Sequence, residues 1–471
     1  MIAMTLAQAG LLAGGRLVDL PPGLADERVA GVVTDSRLAG PQQLFVAIPG
    51  ERVDGHDFVP QALANGALAA LVSRPVAGPS ILVEDTIAAM GRLAARIRTD
   101  LANCRVIAIT GSSGKTSTKD LMAAVLGTAG PTVAPEGSFN TEVGVPMTVF
   151  RASEDTAYLV LEMGMRGRGH ILTLCQIARP EIGIILNAGT AHLGLMGSRQ
   201  AIVEAKSEIL DLLPGNGTAI LPGDDPALMA QAQRTAARIL TFGEGPEVDV
   251  RADQVRLDEH ARATFMLTSR EGSAQVRLQG HGRHHVANSL AVAAACLSLG
   301  LSLEWTADAI SAAAPRSKWR MEVHRGANGI TVVNDAYNAN PDSMRAALGA
   351  LADMKQTGQP WAVLGQMLEL GEASAGAHAE IGRHAAALGI RIICVGPGTE
   401  PMCEAAAEAH GTSDWVPDAD SAVDLISSQL GGADTVLVKA SRGVGLERVA
   451  QRLIELADSS QPAPLVPGGA G

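Results

Sequence analysis

The sequence has few aromatic residues, few cysteines and no excess of basic charge. Only 3% of its 471 residues are aromatic, so its cores must be built from Ala, Val, Leu and Ile, a composition typical of α/β proteins with many alanine-faced helices. Acidic residues outnumber basic ones, 49 against 37, and no run of Lys and Arg is interleaved with aromatics. These features disfavour anionic membranes as partners, and no nucleic-acid partner is expected.

The five cysteines are scattered at positions 104, 175, 296, 394 and 403, and none forms a C-x-x-C pair. This spacing predicts reduced thiols in a cytoplasmic protein. No uninterrupted apolar run approaches the ~20 residues that a membrane span needs, so no membrane insertion is expected. Residues 1–15 resemble the apolar part of a signal peptide, but Gln8 interrupts them and no Lys or Arg precedes Arg16, which favours a short helix capped by Thr5.

Length and the alternation of predicted strands and helices indicate an α/β protein of three domains. Residues 1–100 form a small α/β unit, and residues 101–315 alternate strands with helices as in a parallel sheet, with an antiparallel edge at 248–278. The alternation then restarts, and residues 316–458 are predicted to form a doubly wound, Rossmann-like domain. The Pro- and Gly-rich tail 459–471 is predicted to be disordered.

The stretch T-G-S-S-G-K-T-S at residues 110–117 follows an apolar run and precedes a helical pattern, so it predicts a strand, a glycine-rich turn and a helix. In such a turn backbone N–H groups approach phosphate oxygens, Lys115 supplies charge to the β- and γ-phosphates, and the Thr116 hydroxyl can bind Mg²⁺. Ile109 stands where the usual spacing has a glycine, so the match is a shortened P-loop variant. The alternative is a glycine-rich turn with an incidental lysine. The predicted phosphate cradle comprises Gly111, Ser112, Ser113, Gly114, Lys115, Thr116 and Ser117.

Polar residues also follow apolar runs elsewhere, and in open α/β sheets ligands gather at the carboxyl ends of strands. Glu162 follows the run at 159–161 and is a candidate Mg²⁺ ligand; the alternative is a strand-end acid that caps the next turn. Asn187 and His192 follow the run at 184–186. Beside a bound Mg-nucleotide, we expect His192 to help hold a second ion.

Two further segments are ambiguous from their residues alone. Lys206 lies in a helical stretch predicted at 198–213, and composition favours a solvated surface lysine. His284 and Asn288 open an Ala-rich helix, where they either meet the base or phosphates of a nucleotide or serve as caps.

The third domain begins with a dense polar cluster. Arg320 precedes it, and a predicted strand then ends at Asp335, Tyr337 and Asn338, with a helix starting at Pro341. An arginine entering from a separate domain can stabilise charge on a transferring phosphoryl group and close a nucleotide site by domain rotation. The alternative for Arg320 is a surface arginine in a linker.

In their order along the chain, these motifs resemble those of the Mur ligase family, and the resemblance covers nearly the whole sequence. Residues 335–344, D-A-Y-N-A-N-P-D-S-M, resemble the signature of the members that use D-alanyl-D-alanine, and residues 363–371 and 438–442 resemble the third-domain motifs of the same members. The resemblance rests on the P-loop variant, Glu162-Met163-Gly164, Asn187 to His192, the helix around Lys206, Gly282 to Asn288, and Arg320.

The resemblance implies that ATP and two Mg²⁺ ions bind. It makes Lys206 a carbamylated lysine whose carbamate oxygens bind the second Mg²⁺ with His192, and it makes Thr116 and Glu162 the other metal ligands. For Lys206 this reverses the surface position that composition favours. The residues implied in catalysis are Lys115, His192, Lys206 and Arg320. The residues implied in ATP binding are Gly111 to Ser117, Asn187, His284, Asn288, Arg320, Asp335, Tyr337 and Asn338.

The resemblance also implies a uridine-nucleotide pocket in the first domain. Two positions depart from the family pattern, since His285 stands where Asn is usual and Gln366 where Asp is usual. These departures bear on the adenine side and the dipeptide side of the site. The residues implied in substrate binding are Ser36, Arg37, Asp54, Gly55 and His56 in the pocket, and Asn140 and Thr141 near the domain interface.

The implied activity is that of an ATP-dependent peptide ligase in peptidoglycan precursor synthesis. Its expected substrates are a UDP-N-acetylmuramoyl-tripeptide, activated as an acyl phosphate, and D-alanyl-D-alanine, and we expect a monomer that closes about a hinge near 314–318. Whether lysine or diaminopimelate occupies the third peptide position stays open. The alternatives are a folylpolyglutamate synthase-like ligase and a non-catalytic P-loop nucleotide-binding module.

Overall fold

The computed structural model describes residues 1–50, 53–189, 193–354 and 357–459. Within them the strands form a five-stranded, a nine-stranded and a six-stranded sheet in chain order, together with a two-stranded ribbon. This arrangement confirms the predicted α/β class. The predicted tail lies outside the described residues from position 460 onward. In the described part of the chain no helix is both long and apolar enough to cross a membrane, and all five cysteines are free thiols.

The N-terminal region contains β1 (Met4–Thr5), α1 (Leu6–Ala13), β2 (Arg16–Val18), β3 (Arg28–Val29), β4 (Gly31–Val33), β5 (Gln43–Val46), α2 (Val59–Ala64), β6 (Ala69–Val72), β7 (Ser80–Leu82) and α3 (Thr86–Asp100). The five-stranded sheet has the order β2-β7-β6-β5-β4, in which β4 to β7 are parallel and β2 is antiparallel. The apolar run at 29–33 contributes to two strands, because β3 pairs with β1 while β4 joins the larger sheet.

Helix α1 begins after Thr5, as predicted. The Thr5 side chain accepts the backbone N–H of Gln8, and the Gln8 side chain accepts the backbone N–H of Thr5. The polar residue that interrupts the apolar run thus completes a capping box, which satisfies donors at the helix start.

Helix α3 joins the first sheet to the central one. Met90, Leu93 and Ile97 on its buried face belong to the same apolar core as two helices of the next region, Gly144–Val149 and His170–Ala178. Burying each of these side chains contributes about 1.5–3 kcal/mol. Arg98 is also buried, and it donates to the Ala178 carbonyl at 3.1 Å. The first two sheets therefore share one core.

The central region contains β8 (Arg105–Thr110), α4 (Lys115–Leu126), β9 (Thr132–Val133), α5 (Gly144–Val149), β10 (Tyr158–Glu162), α6 (His170–Ala178), β11 (Ile182–Ile185), α7 (Leu193–Met196), α8 (Arg199–Ser207), β12 (Thr218–Pro222), α9 (Pro226–Met229), β13 (Arg238–Gly243), β14 (Val250–Leu257), β15 (Arg262–Ser269), β16 (Gly272–His281), α10 (His284–Ser298) and α11 (Leu303–Ala312). The sheet order is β16-β15-β14-β13-β12-β11-β8-β10-β9, parallel from β9 to β14 and antiparallel from β14 to β16. The antiparallel edge lies where the sequence predicts it.

Strand β8 lies between β10 and β11, so the connections after it reach both sides of the sheet. Its carboxyl end is a topological switch point, where ligands bind in open α/β sheets. Glu162 ends β10 and Asn187 follows β11, so both residues flank the glycine-rich turn that follows β8.

The observed helix α8 is shorter than the one predicted at 198–213. It ends at Ser207, and a single 3-10 turn follows at Glu208–Leu210. The Glu208 carboxylate accepts the backbone N–H groups of Gly169 and Leu172, at 2.6 and 3.2 Å. These bonds hold the chain against the start of α6. Residues more than thirty positions apart make them, so local periodicity carries no sign of the early helix end.

The C-terminal region contains β17 (Glu322–Arg325), β18 (Thr331–Asn334), α12 (Pro341–Asp353), β19 (Pro360–Gly365), α13 (Ser374–Ala387), β20 (Arg391–Val395), α14 (Glu400–Glu408), β21 (Ser413–Val416), α15 (Ala419–Ser427), β22 (Thr435–Lys439) and α16 (Glu447–Asp458). Its sheet has the order β17-β18-β22-β19-β20-β21, parallel except for β17. Val332 and Val333 face separate apolar cores, as expected for a sheet covered on both faces. Strands β17 and β21 are not predicted from the sequence, because these short edge strands have little apolar content.

Candidate active site

The glycine-rich turn after β8 leads directly into α4. The N-cap Gly114 is left-handed, with φ of +80°, and a Cβ atom there would lie 2.6 Å from Asn288 Oδ1, so glycine is required. Asn187 Oδ1 accepts the N–H groups of Ser112 and Ser113, at 2.9 and 3.1 Å, which holds the turn against the end of β11. The first N–H groups of α4 lack intrahelical acceptors and, with the positive end of the helix dipole, suit an anion.

Lys115 folds back over this turn. Its Nζ donates to the Gly111 carbonyl oxygen at 2.8 Å, and in the described part of the chain it has no ion pair. Burial lowers the pKa of Lys115, the Glu162 charge works against that shift, and the charge of Arg320 adds to it. A lysine that is desolvated and not engaged in an ion pair can respond strongly to an incoming phosphate.

The Glu162 carboxylate is held at both oxygens. The Thr116 hydroxyl donates to Oε2 and the Asn140 side-chain amide donates to Oε1, each at 2.7 Å. Glu162 and Thr116 are both buried. Two predicted Mg²⁺ ligands, a hydroxyl oxygen and a carboxylate oxygen, are therefore adjacent at the P-loop.

Lys206 is buried, with 1% of its surface exposed, which contradicts the solvated surface position that composition favours. Within the described residues its ammonium group has neither a hydrogen-bond acceptor nor an ion-pair partner. Burial lowers the pKa of Lys206 well below its ordinary value, and the Lys115 charge lowers it further. Both effects shift this group toward the uncharged amine.

His192, the other predicted ligand of the second ion, lies outside the described residues. In the described part of the chain, no group of three or more His, Cys, Asp or Glu side chains is placed to hold a metal ion. Among the described residues, unmodified carboxylate and imidazole side chains therefore do not by themselves form a metal site.

Helix α10 brings His284 and Asn288 to the turn, and among the described residues no side-chain cap hydrogen bond is present at its start. Burial and the Lys439 charge lower the pKa of His284 to about 4, and burial lowers the pKa of His285 well below its usual range. The two imidazole rings are 4.3 Å apart. Three buried atoms at this place have no hydrogen-bond partner in the described part of the chain, namely His284 Nδ1, Asn288 Nδ2 and Arg320 Nε.

Arg320 reaches the P-loop from the segment before β17. Its Nη2 donates to Thr116 Oγ1 at 2.9 Å, and its guanidinium lies 4.2 Å from the centroid of the Tyr337 ring. The Tyr337 hydroxyl is 2.5 Å from Ser138 Oγ in the central region. Arg320 is thus packed between two domains, which contradicts the alternative of a surface arginine in a linker.

The polar cluster after β18 is organised around Lys439, the last residue of β22. Its buried Nζ donates to Asp335 Oδ2 at 2.6 Å and to the Asn338 carbonyl at 2.8 Å. Asn340 caps α12, and its side-chain amide donates to the Ser112 carbonyl at 3.3 Å. The third-domain cluster therefore contacts the P-loop directly.

A cavity of about 270 Å³ lies between the P-loop, α10 and this cluster. Gly111 and Lys206 do not line it. The predicted site residues that do are Ser112, Ser113, Gly114, Lys115, Thr116, Ser117, Asn140, Glu162, Asn187, His284, Asn288, Arg320, Asp335, Tyr337 and Asn338.

The residues predicted for uridine binding follow β4 and β5 at the carboxyl edge of the first sheet. Ser36 Oγ donates to Gln61 Oε1 at 2.8 Å, and Arg37 pairs with Asp35 at 2.6 Å. Within the described residues, no hydrogen bond or ion pair joins this group to the P-loop. The first-domain group is therefore separate from the phosphate site.

Asp54, Gly55 and His56 form a tight turn after β5. The buried His56 ring is 2.6 Å from Asp54 Oδ1 and accepts the Ser73 N–H at 2.9 Å, and the bonds from His56 lower the pKa of Asp54 to about 2. A Cβ atom at Gly55 would lie 2.5 Å from the Ile48 nitrogen, so glycine is required there.

Three residues at the site were missed by the sequence analysis as candidates. Lys439 ends β22, so the strand-end rule could have found it, and Asn340 directly precedes Pro341 at the start of α12, so the N-cap preference for Asn could have found it. Ser138 lies in an irregular loop, and its sequence neighbourhood carries no signal.

Two residues singled out from the sequence lie next to these groups. Thr141 directly follows Asn140, and its hydroxyl accepts the Gly144 N–H at 3.4 Å. Gln366 directly follows β19.

Three family descriptions match the chain in succession. Residues 28–98 match the Mur ligase family, catalytic domain; residues 109–296 match the Mur ligase middle domain; and residues 319–442 match the Mur ligase, glutamate ligase domain. The matches follow the order of the three sheets.

The chain is 44% identical over 501 residues to the UDP-N-acetylmuramoyl-tripeptide--D-alanyl-D-alanine ligase of Mycobacterium tuberculosis, covering 96% of this chain and 98% of the relative. Its structure resembles a crystal structure of MurF from Acinetobacter baumannii, with a TM-score of 0.88, 34% identity, and coverage of 96% and 99%. It also resembles the MurF ligase from Thermotoga maritima in complex with ADP, with a TM-score of 0.80, 28% identity, and coverage of 93% and 99%.

A folylpolyglutamate synthase of Mycobacterium tuberculosis is 18% identical, with a TM-score of 0.63, and shares the fold alone. The three matching regions and the full-length relative instead agree on one assignment. The chain therefore belongs to the Mur ligase family, within the group of the UDP-N-acetylmuramoyl-tripeptide--D-alanyl-D-alanine ligases.

Proposed function

We propose that this chain is an ATP-dependent ligase that joins D-alanyl-D-alanine to UDP-N-acetylmuramoyl-tripeptide in peptidoglycan precursor synthesis. One observation carries the proposal. His284 Nδ1, Asn288 Nδ2 and Arg320 Nε are buried without hydrogen-bond partners among the described residues, beside a cavity that Lys115 and Glu162 also line. Buried polar atoms without partners suit a polar ligand. The ADP complex of the Thermotoga maritima relative supports the proposal that this ligand is a nucleotide.

The residues present fit ATP and Mg²⁺. The start of α4, Lys115 and Arg320 supply positive charge for phosphates. Thr116 and Glu162 would hold the Mg²⁺ ion, because hydroxyl and carboxylate oxygens are the ligands that it prefers. When bound, Mg²⁺ would neutralise phosphate charge and polarise the transferred group.

Lys206 is proposed to be carbamylated. Only an uncharged amine adds CO₂, forming an N–C bond and releasing one proton. Burial, with no acceptor for the group among the described residues, shifts Lys206 toward that form. The resulting anion would offer two oxygens near the positive charge of Lys115. Together with His192, these oxygens would hold a second Mg²⁺ ion. The role of His192 is inferred from the sequence alone.

The proposed reaction has two steps. The γ-phosphoryl group of ATP passes to the terminal carboxylate of the tripeptide, giving an acyl phosphate and ADP. The amine of D-alanyl-D-alanine then attacks the carbonyl carbon, the bond to phosphate breaks, and the amine loses a proton. Lys115 and Arg320 stabilise the negative charge of the phosphoryl group, and no side chain has to act as a covalent nucleophile.

The other parts of the assignment are proposals of the same kind. Ser36, Arg37 and the turn at 54–56 would hold the uridine nucleotide, and Asn140 with Thr141 would meet the peptide. Residues 1–100 would thus be the UDP-substrate domain, 101–315 the ATP domain and 316–458 the Rossmann-like domain that closes the site. A monomer in the cytoplasm stays a prediction.

The test is to identify the product by mass spectrometry. The protein would be incubated with ATP, D-alanyl-D-alanine and equal amounts of lysine-containing and diaminopimelate-containing UDP-N-acetylmuramoyl-tripeptides. We expect a tripeptide extended by both alanines, together with ADP and phosphate, and no product when ATP or the dipeptide is omitted. ATP hydrolysis without any extended peptide, or glutamate addition to a folate, would contradict the proposal.

A further inference from the structure

Six side chains from the central and third domains form a closed circuit of contacts around the Glu162 carboxylate. Thr116 and Asn140 each donate to it at 2.7 Å, and Arg320 donates to Thr116 at 2.9 Å. Arg320 lies over the Tyr337 ring, 4.2 Å from its centroid. The circuit therefore passes from the carboxylate into the third domain.

The circuit closes at the Tyr337 hydroxyl. This hydroxyl is 2.5 Å from Ser138 Oγ, and Ser138 lies two positions before Asn140 in the same loop. The Ser138 contact returns the circuit to the central domain. One hydroxyl pair thus connects the loop beside Glu162 to the aromatic ring that supports Arg320.

The backbone around Arg320 is unusual. Trp319 and Met321 both have left-handed backbones, with φ of +59° and +50°, a conformation that is uncommon for residues other than glycine. The Trp319 carbonyl accepts the Tyr337 N–H at 3.2 Å, and the Met321 N–H donates to Asp335 Oδ1 at 3.1 Å. A strained turn persists only when its surroundings hold it, and here the strand-end cluster of the third domain does so.

We propose that the Ser138 and Tyr337 hydroxyls form an interdomain latch that positions Arg320 at the phosphate site. The latch can form only when the third domain lies against the central domain, so it couples closure to the placing of the arginine. Tyr337 is therefore a positioning residue that acts through Arg320. This inference rests on the proposed ligase function.

The geometry separates two parts of Tyr337. Its ring supports the guanidinium, whereas its hydroxyl makes the interdomain bond. Tyr337→Phe removes only the bond, and Ser138→Ala removes the same bond from the other side. The matched control is Tyr158→Phe, because Tyr158 is the other tyrosine of the chain, begins the strand that ends at Glu162, and makes no hydroxyl hydrogen bond in the described part of the chain.

The first measurement is the steady-state kcat and KM of ligation for the two single variants, the double variant and the control. We expect each single variant to lose kcat by about 2- to 10-fold, the range that one net hydrogen bond allows, with KM for ATP nearly unchanged. The double variant should lose no more than either single variant, because both remove one bond. Tyr158→Phe should match the wild type.

The second measurement is small-angle scattering with UDP-N-acetylmuramoyl-tripeptide and a non-hydrolysable ATP analogue. Both latch variants should have a larger radius of gyration than the ligand-saturated wild type. Three outcomes would overturn the latch. The first is an additive loss of kcat in the double variant, and the second is a radius of gyration in the latch variants equal to that of the wild type. The third is a raised KM for ATP in Tyr337→Phe while Ser138→Ala behaves like the wild type. If the wild type makes no product, the ligase proposal fails, while scattering still tests the latch.

Discussion

Gly194→Ala should block closure of the site without weakening the fold. Gly194 lies in α7, and a Cβ atom there would be 2.6 Å from the Leu370 carbonyl carbon and 2.7 Å from the Gly371 nitrogen, both in the third domain. These are backbone atoms, which cannot turn aside as a side chain can. Ordinary contact begins at 3.4 Å, so the third domain would have to retreat by at least 0.8 Å.

A retreat of this size moves Arg320, Asp335 and Tyr337 away from the P-loop. A misplacement of about 1 Å at a catalytic site can lower the rate by about 100-fold, so we expect kcat to fall by one to two decades. Stability should move the other way, because alanine is favoured over glycine in a helix by up to about 1 kcal/mol. An unchanged or slightly raised Tm together with a large loss of kcat is the expected signature.

The assay is ADP release under saturating substrates, with Tm measured by calorimetry on the same preparations. The control is Gly349→Ala in α12, where a Cβ atom meets nothing within 4 Å. It makes the same chemical change in a helix of the third domain without touching the central domain. Wild-type kcat in Gly194→Ala, or an equal loss in Gly349→Ala, would refute the steric reasoning.

Three further predictions concern charged groups at the site. Lys115→Ala should lower ligation by about two decades or more with Tm little changed, since it removes charge at a turn and no apolar contact; near-normal kcat would refute the phosphate role. Lys206→Ala should be nearly inactive and partly rescued by formate or acetate, whose oxygens can replace those of a carbamate; full activity without either would contradict carbamylation. The pKa of His284 is about 4 in the folded chain against 6.5 when unperturbed, so unfolding takes up a proton between these values and stability should fall as pH drops from 6.5 to 4, by at most about 3 kcal/mol. Urea unfolding of the wild type and of His284→Gln across that pH range should show a steeper loss of the free energy of unfolding in the wild type. Equal slopes in the two proteins would contradict the lowered pKa of His284.

The sequence predicts the strand-end residues well, and the reason is physical. Glu162 and Asn187 end apolar runs of the central sheet, and parallel strands bring their carboxyl ends to one edge, so linear order is enough to group them with the P-loop. Lys206 is different, because composition favours a surface lysine, whereas the side chain is buried in a helix, α8, that contacts α6, α7 and α9. Ser138 carries no signal at all, since its partner Tyr337 lies 199 residues away across a domain boundary. Local pattern thus predicts which side chains each sheet presents, but not which side chains two domains bring together.

The two halves of the site differ in how completely they are bonded. The P-loop half is held by bonds within the central domain, with Asn187 on the turn and Asn140 on Glu162. Around the nucleotide cavity, in contrast, three buried atoms of His284, Asn288 and Arg320 lack partners in the described part of the chain, and each unmade bond costs about 1–3 kcal/mol. Two of these atoms lie on α10 of the central domain and the third on Arg320, so one ligand that bonds to all three joins the two domains. Nucleotide binding and closure should therefore stabilise each other, so that the arginine reaches the phosphate site when there is a phosphate to meet.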